Sequence, residues 1–216
     1  MKHISSLLLF SFILSLATVS VAYSQILPQR DRATLRDEII KDRFDTLLPK
    51  LMDDTGIDMW LVIAREYNED PVMRTMLPAT WLNARRRTIL VFYRNKAQNT
   101  LERLAVARYD VGANITSSWD KEKQPNQWER LVEIIKERPV KKIGINTSKH
   151  FGIADGLVHT DYQELMEALP SDLEEKIVSA EKLAIGWIET RTAKEMLLYN
   201  QLVDITSAII DQAFSA

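Results

Sequence analysis

The run Ile57-Asp58-Met59-Trp60-Leu61-Val62-Ile63 constrains the fold more than any other stretch of the chain. It carries one charge and is otherwise apolar and β-prone, so it reads as a buried strand. A long amphipathic helix leads into it. Over residues 31–54, Leu35, Ile39, Ile40, Phe44, Leu47, Leu48, Leu51 and Met52 fall on one face. Gly56 then supplies the left-handed residue that ends such a helix.

Later segments repeat this alternation. Residues 88–93 and 101–109 read as two further strands. They are joined by a loop at 94–100, which makes a hairpin. Residues 65–87 form a polar excursion with a short helix around 80–84, and 110–126 are irregular. A helix at 127–138 buries Trp128, Leu131, Ile134 and Ile135 and stops at Pro139. A short strand at 141–146 follows, then a loop at 147–159. A helix capped by Thr160 and Gln163 runs to Leu169, before Pro170. Residues 175–180 read as a last strand, and 181–191 as a bridge to a terminal helix. This order predicts an α/β domain, with α+β as the alternative. Its mixed sheet has about five to six strands, and helices cover its faces. The helix before 141–146 suits a parallel crossover.

The terminal helix has a marked start and no marked end. Thr192 and Glu195 make a capping box, and no Gly, Pro or basic last turn follows. Leu198, Leu202, Ile205, Ile209 and Ala213 form one apolar row. Met196, Tyr199, Val203, Ile210 and Phe214 form the next. Together they are too wide for one contact layer. The helix is therefore expected to protrude and pack on more than the domain before it; docking on that domain alone is the alternative.

Residues 1–24 read as a secretory signal peptide. Lys2 and His3 form a basic start, 4–21 are apolar, and Ala22 and Ser24 fit a cleavage site before Gln25. A membrane anchor is the rival reading. Export, periplasmic or secreted, with no membrane attachment after cleavage, is the expectation. The chain has no cysteine, which excludes disulfides, thiolate chemistry and a lipid-modified N-terminus. The remaining chain is long enough to bury roughly 70% of its unfolded surface. Its net charge of −2 argues against nucleic acid or an anionic membrane as partner.

No complete catalytic or metal constellation is present. His150 and His159 lie in one loop near Asp155 and Asp161, but the spacing matches no common zinc pattern. Ser148 beside His150 lacks an orienting third residue. Gly144 and Gly152 do not have phosphate-loop spacing and read as turn formers. Arg85-Arg86-Arg87 is the densest positive cluster and could grip a carboxylate or phosphate; the alternative is a solvated strand entrance. Glu66, Glu69 and Asp70, on the loop leaving the first strand, could accept a cation or an amine, or simply solvate the loop. Trp81 could line a pocket or anchor that excursion.

Four segments carry a family resemblance: GIDMWLVIAREYNEDPV, WLNARRRTILVFY, KKIGINTSKHFGIADGLVHTDYQELMEAL and WIETRTAKEMLLYNQLVDIT. Through them the chain resembles the N-terminal domain of the creatinase/prolidase family of metallopeptidases, which includes the Xaa-Pro aminopeptidases. The resemblance implies such a domain at 25–190. It implies that 191–216 are the linker and first helix of a "pita-bread" catalytic domain absent from this chain. It implies a two-metal site (Mn, Co or Zn) in that absent domain, and no cofactor, metal ligand or catalytic residue in this one. This chain alone is thus predicted inactive. Its expected part is to shape a substrate entrance and make oligomer contacts. Arg65, Tyr67, Trp81 and Arg85 are the candidate entrance or interface residues. The implied partners are a catalytic domain of the same or a neighbouring chain and a second copy in a homo-oligomer. A stand-alone binding module of the same fold is the alternative.

Overall fold

The central strand β1, Met59–Arg65, sends alternate side chains into two separate cores, as a strand covered on both faces must. Trp60, Val62 and Ala64 enter one core; Met59, Leu61 and Ile63 enter the other. The computed structural model describes residues 26–215; the leader read at 1–24 lies outside them. β1 pairs antiparallel with β2, Arg87–Asn95, in a register that sets Arg65 opposite Arg87. β2 pairs antiparallel with β3, Thr100–Val106, to make the expected hairpin. The two-residue β4, Thr116–Ser117, runs parallel to β3. On the other side of β1, β5 (Ile143–Ile145) and β6 (Ile177–Ser179) add as parallel strands. The six-stranded mixed sheet has the order β4-β3-β2-β1-β5-β6. The fold is α/β.

The first face is covered by the entry helix and two later ones. Helix α1, Gln29–Asp42, continues through a π-helical turn at Arg43–Leu47 into α2, Leu48–Thr55. Gly56, at φ 68°, ends α2 in the left-handed region as anticipated. Phe44, Phe92 and Trp187 pack as a ring cluster with centroids 5.3–5.5 Å apart about Phe44. The second face is covered by α4, Gln127–Lys136, and α5, His159–Ala168. Asn126 caps α4 by accepting from the Trp128 and Glu129 backbone N–H groups.

Three local expectations are corrected. The short helix is not at 80–84 but at Pro71–Met76 (α3), where Asp70 caps the first turn and Pro71 takes the first helical position. Helix α5 starts at His159 without a side-chain cap, so the Thr160/Gln163 box does not form; its Asp161 binds arginines instead. A short helix, α6 (Ser171–Glu174), follows Pro170. Residues read as a bridge form α7, Glu181–Glu189, which buries Leu183, Ala184 and Trp187. Gly186 is there for close approach: a Cβ on it would lie 2.9 Å from Leu51 Cδ2.

The last helix, α8 (Ala193–Phe214), starts with the expected capping box and buries no residue. Leu202, Val203, Ile209, Ile210 and Phe214 are all more than half exposed. Its root is fastened to the domain. Arg43, 7% exposed, donates to Thr190 O (2.9 Å), Glu195 Oε2 (2.7 Å) and Trp187 O, with its guanidinium over the Trp187 ring. Lys194 pairs with Glu38 of α1 at 2.9 Å. Among the described residues, no helix is long and apolar enough to cross a membrane.

Candidate functional site

Ligands in sheets with parallel strands usually sit beyond the carboxyl ends of those strands. Here that position, beyond β1 and β5, is filled. Asp70 and Asn146 are buried there, and Asn146 Nδ2 donates to Asp70 Oδ2 at 2.8 Å. Asn146 Oδ1 accepts from Trp60 Nε1 at 2.7 Å. Asp70 Oδ1 takes the Val72 and Met73 N–H groups. Gly156 packs so closely that a Cβ on it would fall 2.2 Å from Asp70 Oδ2. Burial pushes the Asp70 carboxyl up, while the Asn146 and backbone hydrogen bonds pull it down less strongly.

The other acids of this loop are also spent internally. Glu69 Oε1 accepts from Tyr67 N (2.9 Å) and Ala84 N (3.0 Å). Glu66 Oε2 accepts from Arg86 N (3.2 Å). These carboxylates tie the excursion to itself; they neither form a cation site nor stand free in solvent.

Arg65 is held in an ionic cluster on the second face. Its Nε and Nη2 donate to Asp161 Oδ1 at 2.9 and 2.8 Å, and Nη2 reaches Glu164 at 3.2 Å. Arg87 pairs with the same two acids and stacks 4.7 Å from the Trp128 ring centroid. Its Nε lies 2.9 Å from Asp161 Oδ1 but is not aligned for a hydrogen bond. A Trp128 Nε1 hydrogen bond, with Arg87 beside it, holds the Glu164 carboxyl below the ordinary glutamate range. Asp161 is fully buried, and this network closes the edge of the second core.

Tyr67, Trp81 and Arg85 lie elsewhere at the same end of the sheet. Tyr67 is 80% exposed, in the left-handed region at φ 68°. The Arg85 guanidinium is 4.2 Å from the Trp81 centroid and 5.6 Å from that of Tyr109. Around this stack is a cleft of about 250 Å³, walled by Trp81, Arg85, Arg86, Arg108, Tyr109 and Trp119. Among the described residues, the guanidiniums of Arg85, Arg86 and Arg108 have no carboxylate partner. Arg108, Tyr109 and Trp119 were not singled out from the sequence as site residues. The hairpin register carries the signal. Ile89 faces Val106, so the residues just before β2 and just after β3 must converge.

His150 and His159 take no part in this cleft. Ser148 donates to Glu181 and accepts from the His150 and Phe151 backbone N–H groups, which makes it a turn residue. Among the described residues no group of three or more His, Asp or Glu side chains could hold a metal ion.

The structure is similar to part of a Xaa-Pro dipeptidase from Bacillus anthracis, with a TM-score of 0.47 and 16% sequence identity. The match covers 85% of this chain and 43% of that one, so the chain spans less than half the length of that protein. No family model matches the chain, and no curated protein does.

Proposed function

We propose that this chain is the non-catalytic N-terminal domain of an exported Xaa-Pro aminopeptidase-like metallopeptidase. The domain spans 25–190, and 191–216 lead into a catalytic half. The observation that carries the reading is α8. Its root is clamped by Arg43 and Lys194, while Leu202, Val203, Ile209, Ile210 and Phe214 are each more than half exposed. A contiguous apolar face of this kind calls for a partner surface. The catalytic domain, of the same or a neighbouring chain, is the proposed cover. The four sequence segments quoted above supply the family. Export rests on the leader at 1–24. In this role the chain shapes an entrance and makes oligomer contacts; the metal chemistry belongs to the partner domain. A stand-alone binding module would be expected to pack its last helix, and the exposed α8 favours the domain reading.

The test is hydrolysis of Xaa-Pro peptides by the purified chain with added Mn²⁺, Co²⁺ or Zn²⁺. No turnover above the metal blank is expected. Robust, protein-dependent turnover would overturn the proposal.

A further inference from the structure

The cleft between the start of β2 and the end of β3 includes Trp81 and Arg85, two of the candidate entrance or interface residues, but its basic chemistry calls for a ligand that the peptidase reading does not name. Arg85, Arg86 and Arg108 line about 250 Å³ with no acidic residue in its wall. None of the three has a carboxylate partner among the described residues. Arg87, the fourth arginine of the wall, is neutralised by Asp161 and Glu164. Like charges so placed repel one another, and an anion between them relieves the repulsion.

The geometry is also preset. Arg85 is held between the Trp81 and Tyr109 rings, so little side-chain freedom remains to be lost on binding. Arg86 sits at φ 55°, a left-handed backbone that a non-glycine residue adopts at a cost. Glu66 staples it there: its N–H donates to Arg86 O at 2.6 Å and its Oε2 accepts from Arg86 N at 3.2 Å. The Glu66 carboxylate accepts this backbone contact, while Asp120 and Glu122 lie in an adjoining groove that shares Arg108, Tyr109 and Trp119.

We propose that this cleft binds a phosphate dianion, free or as the end group of a small monoester. Three arginines line the cleft from different backbone positions. A tetrahedral oxyanion offers oxygens in several directions to meet them, whereas the two oxygens of a carboxylate lie in one plane. Two negative charges also gain twice as much from each guanidinium as one does. The cleft is smaller than the roughly 300–1,000 Å³ common for whole small-molecule ligands, which suits a head group. Tyr109 and Trp119 at the rim offer flat apolar surface to the body of a monoester. The site shares Trp81 and Arg85 with the proposed entrance, but anion binding here does not depend on a catalytic domain.

Isothermal titration of the chain, with ionic strength held constant by chloride, tests this. Inorganic phosphate is expected to bind saturably and roughly ten-fold or more tighter than acetate. Arg86→Glu and Arg108→Glu should each weaken phosphate by about ten-fold or more, because each removes one fork and adds a repelling charge. Arg30→Glu, the same charge change on α1 away from the cleft, should leave binding unchanged. Arg86 and Arg108 are exposed, so both variants should keep the parent melting curve. Phenyl phosphate distinguishes the sources. Tighter binding than inorganic phosphate assigns a monoester, and equal or weaker binding assigns the free ion; either fits the proposal. Three results overturn it: no saturation below roughly 10 mM phosphate, acetate binding as tightly as phosphate, or Arg30→Glu weakening phosphate as much as Arg108→Glu does.

Discussion

Asp70 closes the end of the central strand by accepting from Val72 N, Met73 N and Asn146 Nδ2. Asp70→Ala should cost about 2–4 kcal/mol, combining a lost helix cap with a stranded Asn146 amide. Urea unfolding measures it. Its pH dependence has a definite sign. The folded carboxyl is raised by burial, so its contribution is full below the ordinary aspartate value of about 3.9 and is lost as pH rises through the folded value. The stability gap between the parent and Asp70→Ser should therefore be wider near pH 3 than near pH 7. Glu164 behaves oppositely. The Trp128 hydrogen bond and Arg87 lower it, so its contribution is present above about 4.3 and lost as pH falls through the folded value. Being partly exposed, it should contribute under about 1 kcal/mol, and Glu164→Gln should remove that acid-side loss. Little of this was legible in sequence. Three acids in one polar loop look alike until the fold buries one and leaves the others accepting backbone N–H groups.

The elements divide by how their burial is written in the chain. β1, β2, β3 and α4 were legible because each carries its own apolar pattern and its own stop or turn signal. α7 was not. Three buried residues in nine, with a glycine among them, resemble a connector, although Trp187 fills the centre of the first core. Trp187→Ala should thus cost about 3–5 kcal/mol, as an aromatic cavity does, and should also loosen the Arg43 clamp beneath α8. Thermal denaturation gives the first effect, and amide exchange at the first turn of α8 gives the second. β4 and the α3 helix were missed for a related reason: two to six residues are too few to show a period. They exist because the sheet edge and the Asp70 cap supply partners from outside the segment.

At the scale of the molecule, the two-faced sheet was readable from its central strand. The basic cleft was visible only in part, as Arg85–Arg87, because its other wall comes from the far strand of the hairpin. The free face of α8 makes a separate prediction. The chain should bind a hydrophobic dye and self-associate. Leu202→Lys with Ile209→Lys should abolish both while changing global stability by less than about 0.5 kcal/mol, since neither residue is packed. Dye fluorescence, sedimentation and a melt report the three quantities together. The Arg43 clamp has a mechanical consequence. A helix of 22 residues is an arm roughly 33 Å long. With its base pinned to the π turn and its outer turns exposed, a tilt of roughly 5° at the pivot sweeps the tip by about 3 Å. The direction in which this arm points is therefore governed at the fulcrum, where Arg43 is the buried member of the clamp and Lys194–Glu38 its exposed one. Loosening Arg43 would leave the sheet intact and let whatever the arm carries swing relative to it.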